Sequence, residues 1–445
     1  MKLRGLWIAI GVLAALSGAL YWSNHRKPGE NAAKASPEET PNILSVSQAD
    51  VTHLAIHRRD EPQLDLSRND SGTWQITAPE ASAADQDAVS NVLSTLSSLN
   101  AERLLENKAS EVAPYGLIHP ALEVEVTLKD SKTQKLLIGD QTPAGNAYYA
   151  MLASDPRLFT LAGYNKSSLD KTPSDLRDKR LLTADFDKVS QIELITQKSG
   201  KKEDIVFARN KEAWQLLKPK PFRTDNDQVE ELIRSLKAAK FESATPAEDA
   251  KSAAAFQSAA PAAMVQVTGA SGAQKLEVRK LKNDFYAKSS VLSGAYKVPA
   301  SLGNELGKSV DDFRNKKLFD FGYEDPDKVE VRDGSKAYFL TRSGSDWWGP
   351  DGKKLDDGDV QTLLSNLREL TASKFVDSGF TTPALEITVV SQDRKRTEKV
   401  LVSRHGEEYV AKRENEQELY ELTGSAVTEL QKSAADLKPA AAAKK

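Results

Sequence analysis

One pattern occurs three times in this chain and constrains its fold more than any other feature. Val89, Val92, Leu93, Leu96 and Leu99 stand at i, i+3, i+4, i+7 and i+10; Val229, Leu232, Ile233, Leu236 and Ala239 repeat that spacing, as do Val360, Leu363, Leu364, Leu367 and Leu370. Each set is a single apolar stripe on a helix, so each predicts an amphipathic helix with one face turned to a core. Four residues ahead of each leading valine stands an aspartate, Asp85, Asp225 or Asp356. Its carboxylate can accept from the free N–H groups of a first helical turn, which fixes the start.

The surroundings repeat as well. Trp74, Trp214 and Trp347 lie upstream in strand-like runs that end at Pro79, Pro219 and Pro350, because proline has no N–H to give a ladder. Asp50-Val51, Asp187-Lys188-Val189 and Asp327-Lys328-Val329 open the units, at a period of about 140 residues. Downstream come alternating stretches such as LEVEVTL, MVQVTG and LEITVV, the pattern of antiparallel strands with one face covered. Tyr149, Tyr286 and Tyr409 are read as equivalent positions, as are Phe159, Tyr296 and Tyr420 in the next strand. A second helix closes each unit, and Arg177 to Leu181 and Arg314 to Leu318 are expected to bridge consecutive units.

The expected fold is therefore α+β: three tandem repeats, each an antiparallel β-sheet with packed helices, preceded by one N-terminal transmembrane helix. The expected divisions are an anchor with flanks at 1–27, a disordered linker at 28–50, repeat units at 51–187, 188–326 and 327–438, and a disordered tail at 439–445. An Ala-rich insertion at 244–262 in the second unit, helical or mobile, replaces the YGLIHPAL and GFTTPAL of the other two.

The anchor rests on the apolar run from Gly5 to Trp22, preceded by Lys2 and Arg4. As a helix it reaches roughly 27 Å, about one hydrocarbon thickness. A cleaved secretory signal is the competing reading, but Ser17-Gly18-Ala19 is a poor cleavage site. Placing the body outside the cytoplasmic membrane makes the chain single-pass and extracytoplasmic, or periplasmic. Its 61 Lys and Arg against 64 Asp and Glu give a net charge of −3, which provides no basic field for nucleic acid. There are no cysteines, so disulfide frameworks, Cys-based zinc sites and thiol nucleophiles are excluded.

The order of these elements resembles the bacterial domain-of-unknown-function 4340 family over about Val51 to Lys438. In the first unit the resemblance is carried by Tyr115-Gly116-Leu117, Pro120, Gly139, Thr142, Gly145, Tyr148 and Tyr149; in the third by Gly379-Phe380, Pro383, Leu385 and Tyr409; in the second by Trp214, its helix and Tyr286. It implies a single N-terminal span, a place outside the cytoplasmic membrane, and company with ABC-type transporters of the kind linked to gliding motility. It supplies no catalytic residue.

No catalytic, cofactor-binding or metal site is predicted, and no nucleotide. Gly303 to Ser309, GNELGKS, looks like a phosphate loop, but it has three residues where four are needed before the Gly-Lys-Ser. Asp85/Asp87 and Asp225/Asp227 are read as caps. His53 and His57 sit in strand-like sequence, where four residues span about 13 Å, too far to share one ion. Trp74, Trp214 and Trp347 are read as core. Trp348 and Tyr148, each the strand neighbour of an expected core aromatic, are the candidate exposed contacts. The expected function is a membrane-anchored scaffold, not an enzyme, with ABC-type transporter subunits as partners. The alternatives are a module binding envelope polysaccharide or peptidoglycan, and an envelope hydrolase whose two carboxylates meet only in the fold.

Overall fold

In a computed structural model of the chain, residues 41–198, 201–211 and 213–440 are described. The expected anchor, most of the linker and the last five residues lie outside them. Among the described residues no helix is long and apolar enough to cross a membrane.

Each repeat is one antiparallel sheet with its long helix on the core face; the second repeat also carries a helix on the other face. In the first, the strands lie in the order Ser82–Ala83, Trp74–Ala78, Leu64–Arg68, Val51–Arg58, Leu122–Leu128, Thr133–Gln141, Ala147–Leu152, Leu158–Ala162 and Arg103–Glu106. The first long strand is thus central, with its hairpin neighbours on one side and the later meander on the other. The seven-stranded second sheet and the eight-stranded third sheet repeat the inner part of that order around Val189–Lys198 and Lys328–Asp333, and the third also ends on a strand from after its long helix, Lys374–Val376. A two-stranded pairing of Asn42–Leu44 with Leu99–Asn100 completes the β-structure.

The helices are α1 (Gln86–Ser97), α2 (Gly163–Leu169) and α3 (Pro173–Leu176) in the first repeat, α4 (Asn226–Lys237), α5 (Pro246–Ser258) and α6 (Ala300–Glu305) in the second, and α7 (Asp357–Glu369) and α8 (Gly424–Ala435) in the third. The expected stripes of α1, α4 and α7 are buried. Asp85, Asp225 and Asp356 cap them, each accepting from N–H groups of the first turn. Two of these starts also hold their tryptophan strands: Gln86 and Asn226 each accept from the backbone N–H of Trp74 or Trp214 at 2.8 Å. All three tryptophans are core residues.

Contacts divide the chain into a unit ending at Asp178 and one starting at Lys179 that holds the second and third repeats. Leu181, Leu182 and Phe186 belong to the second core, and Leu318, Phe319 and Phe321 to the third, although both groups precede the Asp-Val openings. Leu181 N–H donates to Ala239 O and Leu318 N–H to Leu370 O, which seats each lead-in at the end of a repeat's long helix. Arg177 pairs with Ala84 and Arg180 with Lys240, while Arg314 pairs with Thr224 and Lys317 with Thr371.

The same lead-in corrects the linker. From Pro41 onward the chain is ordered: Ile43, Leu44 and Val46 are buried in the first core, because Asn42–Leu44 is the first repeat's own lead-in strand, seated on Leu99 and Asn100. At the other end Pro439 pairs with Leu355, and Ala440 N–H donates to Lys354 O.

Candidate functional site

Pairing register corrects one sequence equivalence and locates the surface that distinguishes the repeats. Ala150 faces Phe159, Ala287 faces Tyr296 and Ala411 faces Tyr420. The residues two positions before these alanines, Tyr148, Phe285 and Tyr409, share their side of the strand and pack on the cores. Those one position before, Tyr149, Tyr286 and Val410, point to the outer face. Tyr409 is therefore the counterpart of Tyr148, not of Tyr149. Tyr148 is accordingly half-buried against the first core, with the Lys166 ammonium 5.3 Å from its ring centre, rather than an exposed contact. Trp348 does stand 37% exposed, opposite Trp347.

The connection from the long helix back to the fourth strand crosses this outer face differently in each repeat. In the first, the Tyr115 ring lies 4.8 Å from that of Tyr149, tilted by 57°, and its hydroxyl donates to Glu106 Oε1 at 2.8 Å; that bond is the main reason the hydroxyl titrates above the ordinary tyrosine range. Gly139 makes room for the connection: a Cβ there would lie 2.1 Å from the Tyr115 carbonyl oxygen. Gly116, at φ 69°, turns the chain beside Asp140. In the third repeat Gly379, at φ 105°, lies over Val410, and Thr381 N–H donates to Ser403 Oγ. By pairing register Ser403 and Arg279 take the place of Gly139. Arg279 lies 4.5 Å from the ring centre of Phe256 on α5, which covers the second sheet. The Ala-rich stretch is therefore an ordered replacement at a conserved place in the fold, capped by Thr245, which accepts from Glu248 N–H.

Beneath α5 is a cleft of about 330 Å³. Tyr286 and Lys297, paired across neighbouring strands, supply its sheet side. Glu248, Lys251 and Ser252 line it from α5, and Glu242 and Ser243 from the segment before. Two of these charges are occupied: Glu248 accepts from Ala244 N–H at 2.7 Å, and Lys297 pairs with Asp284 at 2.9 Å. The Glu242 carboxylate and the Lys251 ammonium make no hydrogen bond or ion pair, and both are exposed. Ser243 is 5% exposed, with an orphaned hydroxyl. Sequence reasoning singled out Tyr286 only as a repeat position and missed the rest; the signal was the break in the repeat at Thr245.

A second concavity lies in the first repeat between α1 and α2–α3, a groove of about 700 Å³ lined by Asn91, Ser94, Thr95, Ser168 and Lys171. Tyr164, one turn before Ser168 on α2, is 73% exposed. The same interhelical place is bridged in the second repeat, where Lys308 Nζ donates to Glu305 and Gln228, and in the third by Asn366 donating to the Glu429 carbonyl.

The second and third repeats are joined by charge: Arg223 pairs with Asp320 at 3.5 Å and Glu416 at 3.6 Å, and Lys220 with Glu418 at 3.1 Å, on a network that fixes the third repeat's lead-in. Buried Glu398 accepts from Asp320 N–H, Arg396 and Arg413, while Arg413 also donates to Glu416 at 2.7 Å and to the Leu318 carbonyl. Arg314 lies between the rings of Phe222 and Phe375, 4.1 and 3.4 Å from their centres. Desolvation of this kind is tolerable only where the charges are paired, and the network is a joint rather than a reactive centre.

The remaining motifs resolve into structure. Gly303 is a helical residue of α6 whose Cβ would lie 2.3 Å from the Phe285 ring, so it serves packing. His53 Nε2 is 3.7 Å from Asp65. Among the described residues no three His, Cys, Asp or Glu side chains are grouped to hold a metal ion.

Strand order, tryptophans and capped helices recurring in register define a protein of repeated α+β units, each an antiparallel sheet backed by helices. The chain belongs to the family described as domain of unknown function (DUF4340), whose pattern matches residues 39–117, 74–252 and 214–389. No curated protein matches it. Among solved structures, a DNA polymerase sliding clamp from Pseudomonas aeruginosa with ligand is 8% identical over 85% of this chain and 93% of its own, at a TM-score of 0.17. A DnaN sliding clamp (DNA polymerase III subunit beta) from the same organism, bound to griselimycin, is 9% identical over 86% and 93%, at 0.13. Likeness at those TM-scores carries no argument.

Proposed function

We propose that the protein is a membrane-tethered, extracytoplasmic scaffold that serves an ABC-type transport system of the cell envelope as a non-catalytic accessory. The observation that carries this reading is the contrast between the faces of its sheets: one core recurs three times, while the outer face carries a different cover in each repeat. Repetition with divergent surfaces suits several contacts on one frame. The tether is the apolar run Gly5 to Trp22. The partner class comes from the family resemblance alone.

Crosslinking in intact cells, followed by affinity purification and mass spectrometry, tests it with full-length protein beside a version lacking residues 1–27. A transporter permease enriched only with the full-length chain is the expected result. Full-length protein recovered without any membrane protein above background sinks the reading.

The groove of the first repeat favours a second reading, a module for envelope polysaccharide or peptidoglycan. Hydroxyls and an amide beside an exposed tyrosine match the hydrogen bonding and ring faces of sugars. Retention on isolated cell wall no greater than that of a control protein rejects it.

A further inference from the structure

We propose that the cleft beneath α5 in the second repeat binds a small zwitterion, an ammonium and a carboxylate a few atoms apart, as in a free α-amino acid or a dipeptide. The proposal stands independently of the scaffold reading.

The cleft exists because the second repeat alone covers its outer face with a helix. Tyr149 and Tyr286 are equivalent, but Tyr149 is filled in by the Tyr115 ring, whereas Tyr286 faces open space of about 330 Å³. That volume lies at the small end of ligand sites. Its polar groups are poised rather than spent. The Glu242 carboxylate and the Lys251 ammonium have opposite charge, line one small space and make no direct side-chain hydrogen bond or ion pair, although Glu242 lies close enough to Lys297 to act on its charge.

Buried hydroxyls add to the case. Ser252 is 6% exposed and makes no side-chain hydrogen bond, and the Ser243 hydroxyl is buried without a partner. Buried polar groups are ordinarily satisfied, so the orphaned Ser243 hydroxyl on this cleft indicates a missing partner. A ligand carboxylate would be held by Lys251 with the serine hydroxyls, its ammonium by Glu242, and its carbon frame by the Tyr286 ring. A purely anionic ligand would meet Glu242 and Glu248; a purely cationic one would meet Lys251 and Lys297.

The experiment is a titration of the full-length protein in detergent, read by ligand-observed NMR. The probes are glycine, L-alanine, D-alanine and alanyl-alanine, with acetate and methylammonium as single-charge controls. Saturable binding of at least one zwitterion is expected, single amino acids indicating a free metabolite and the dipeptide alone a peptide source. Lys251→Gln and Glu242→Gln should each weaken it about ten-fold or more, the scale of one lost charge-assisted hydrogen bond. Both side chains are exposed, so unchanged unfolding curves will show that the fold persists, and Trp348→Ala should bind as the parent does. The proposal is overturned if no zwitterion saturates below about 10 mM, a very weak limit, if acetate or methylammonium binds equally well, or if both variants keep parental affinity.

Discussion

Tyr149 in the first repeat and Tyr286 in the second occupy the same position of the same strand on the same face, yet their surroundings differ. Tyr149 is covered by the tilted ring of Tyr115, while Tyr286 looks into a cleft. The neighbours behind them, Tyr148 and Phe285, both pack on cores. A strand in this fold thus carries two histories in alternate residues. The inner set must fit helices placed identically in every repeat. The outer set must fit a connection free to vary, and variation there creates the second repeat's cleft.

The largest expected effect tests that division within one strand. Phe285→Ala should destabilise the second repeat by about 3–5 kcal/mol, the usual cost of emptying a core aromatic site. Tyr286→Ala should cost below about 1 kcal/mol, as for most exposed or partly exposed positions. Urea unfolding read by hydrogen exchange in the second repeat compares them, and equal losses would break the two-face distinction.

Next is the glycine that admits the first repeat's cover. Gly139→Ala drives a Cβ to 2.1 Å from the Tyr115 carbonyl oxygen, and about 1–3 kcal/mol is expected for such overpacking. Exchange should rise around Tyr115 before it rises in the helix-facing core. If that order is reversed, the cover is not an independent layer.

A smaller effect appears only in alkali. Burial, and the hydrogen bond it donates to Glu416, push the inner-face Tyr420 hydroxyl up to about 12, from 10.0 in an unfolded chain. The folded state holds that proton more tightly, so this stabilisation is complete below pH 10 and is lost as pH rises toward 12. Tyr420→Phe should therefore flatten stability against pH across that window, measured by urea midpoints. An unchanged slope removes Tyr420 as the cause.

The smallest effect belongs to Trp348. Its neighbour Trp347 is buried, but Trp348 is 37% exposed, and Trp348→Ala should change stability by about 0.5 kcal/mol or less. A large loss of melting temperature would mean that this outer face is packed more tightly than its exposure indicates.

Much of the frame was legible in the sequence because its determinants are local. The stripes from Val89, Val229 and Val360 carry the helical period, their preceding aspartates satisfy first-turn N–H groups, and Pro79, Pro219 and Pro350 stop strands for want of a donor. Counting from motifs failed where pairing sets the position. Tyr409 looks like the partner of Tyr149 along the chain, but its register with Tyr420 through Ala411 places it one residue away and on the opposite face. Likewise the lead-in strand at Asn42 is too short to announce itself. It is a strand because the end of α1 offers it Leu99 and Asn100.

By itself, then, the sequence determined the periodic parts: three helix faces, their starts, the strand ends, and the place where the second repeat departs from the others. Each of these is written in side chains a few residues apart, through interactions that act over one helical turn or one strand. Tertiary structure alone decided which residues share a face across strands, that Gly139 makes way for a carbonyl and Gly303 for a ring, and that Glu242 and Lys251 line one cleft. Those facts depend on register and on the approach of segments distant along the chain, which no local spacing encodes.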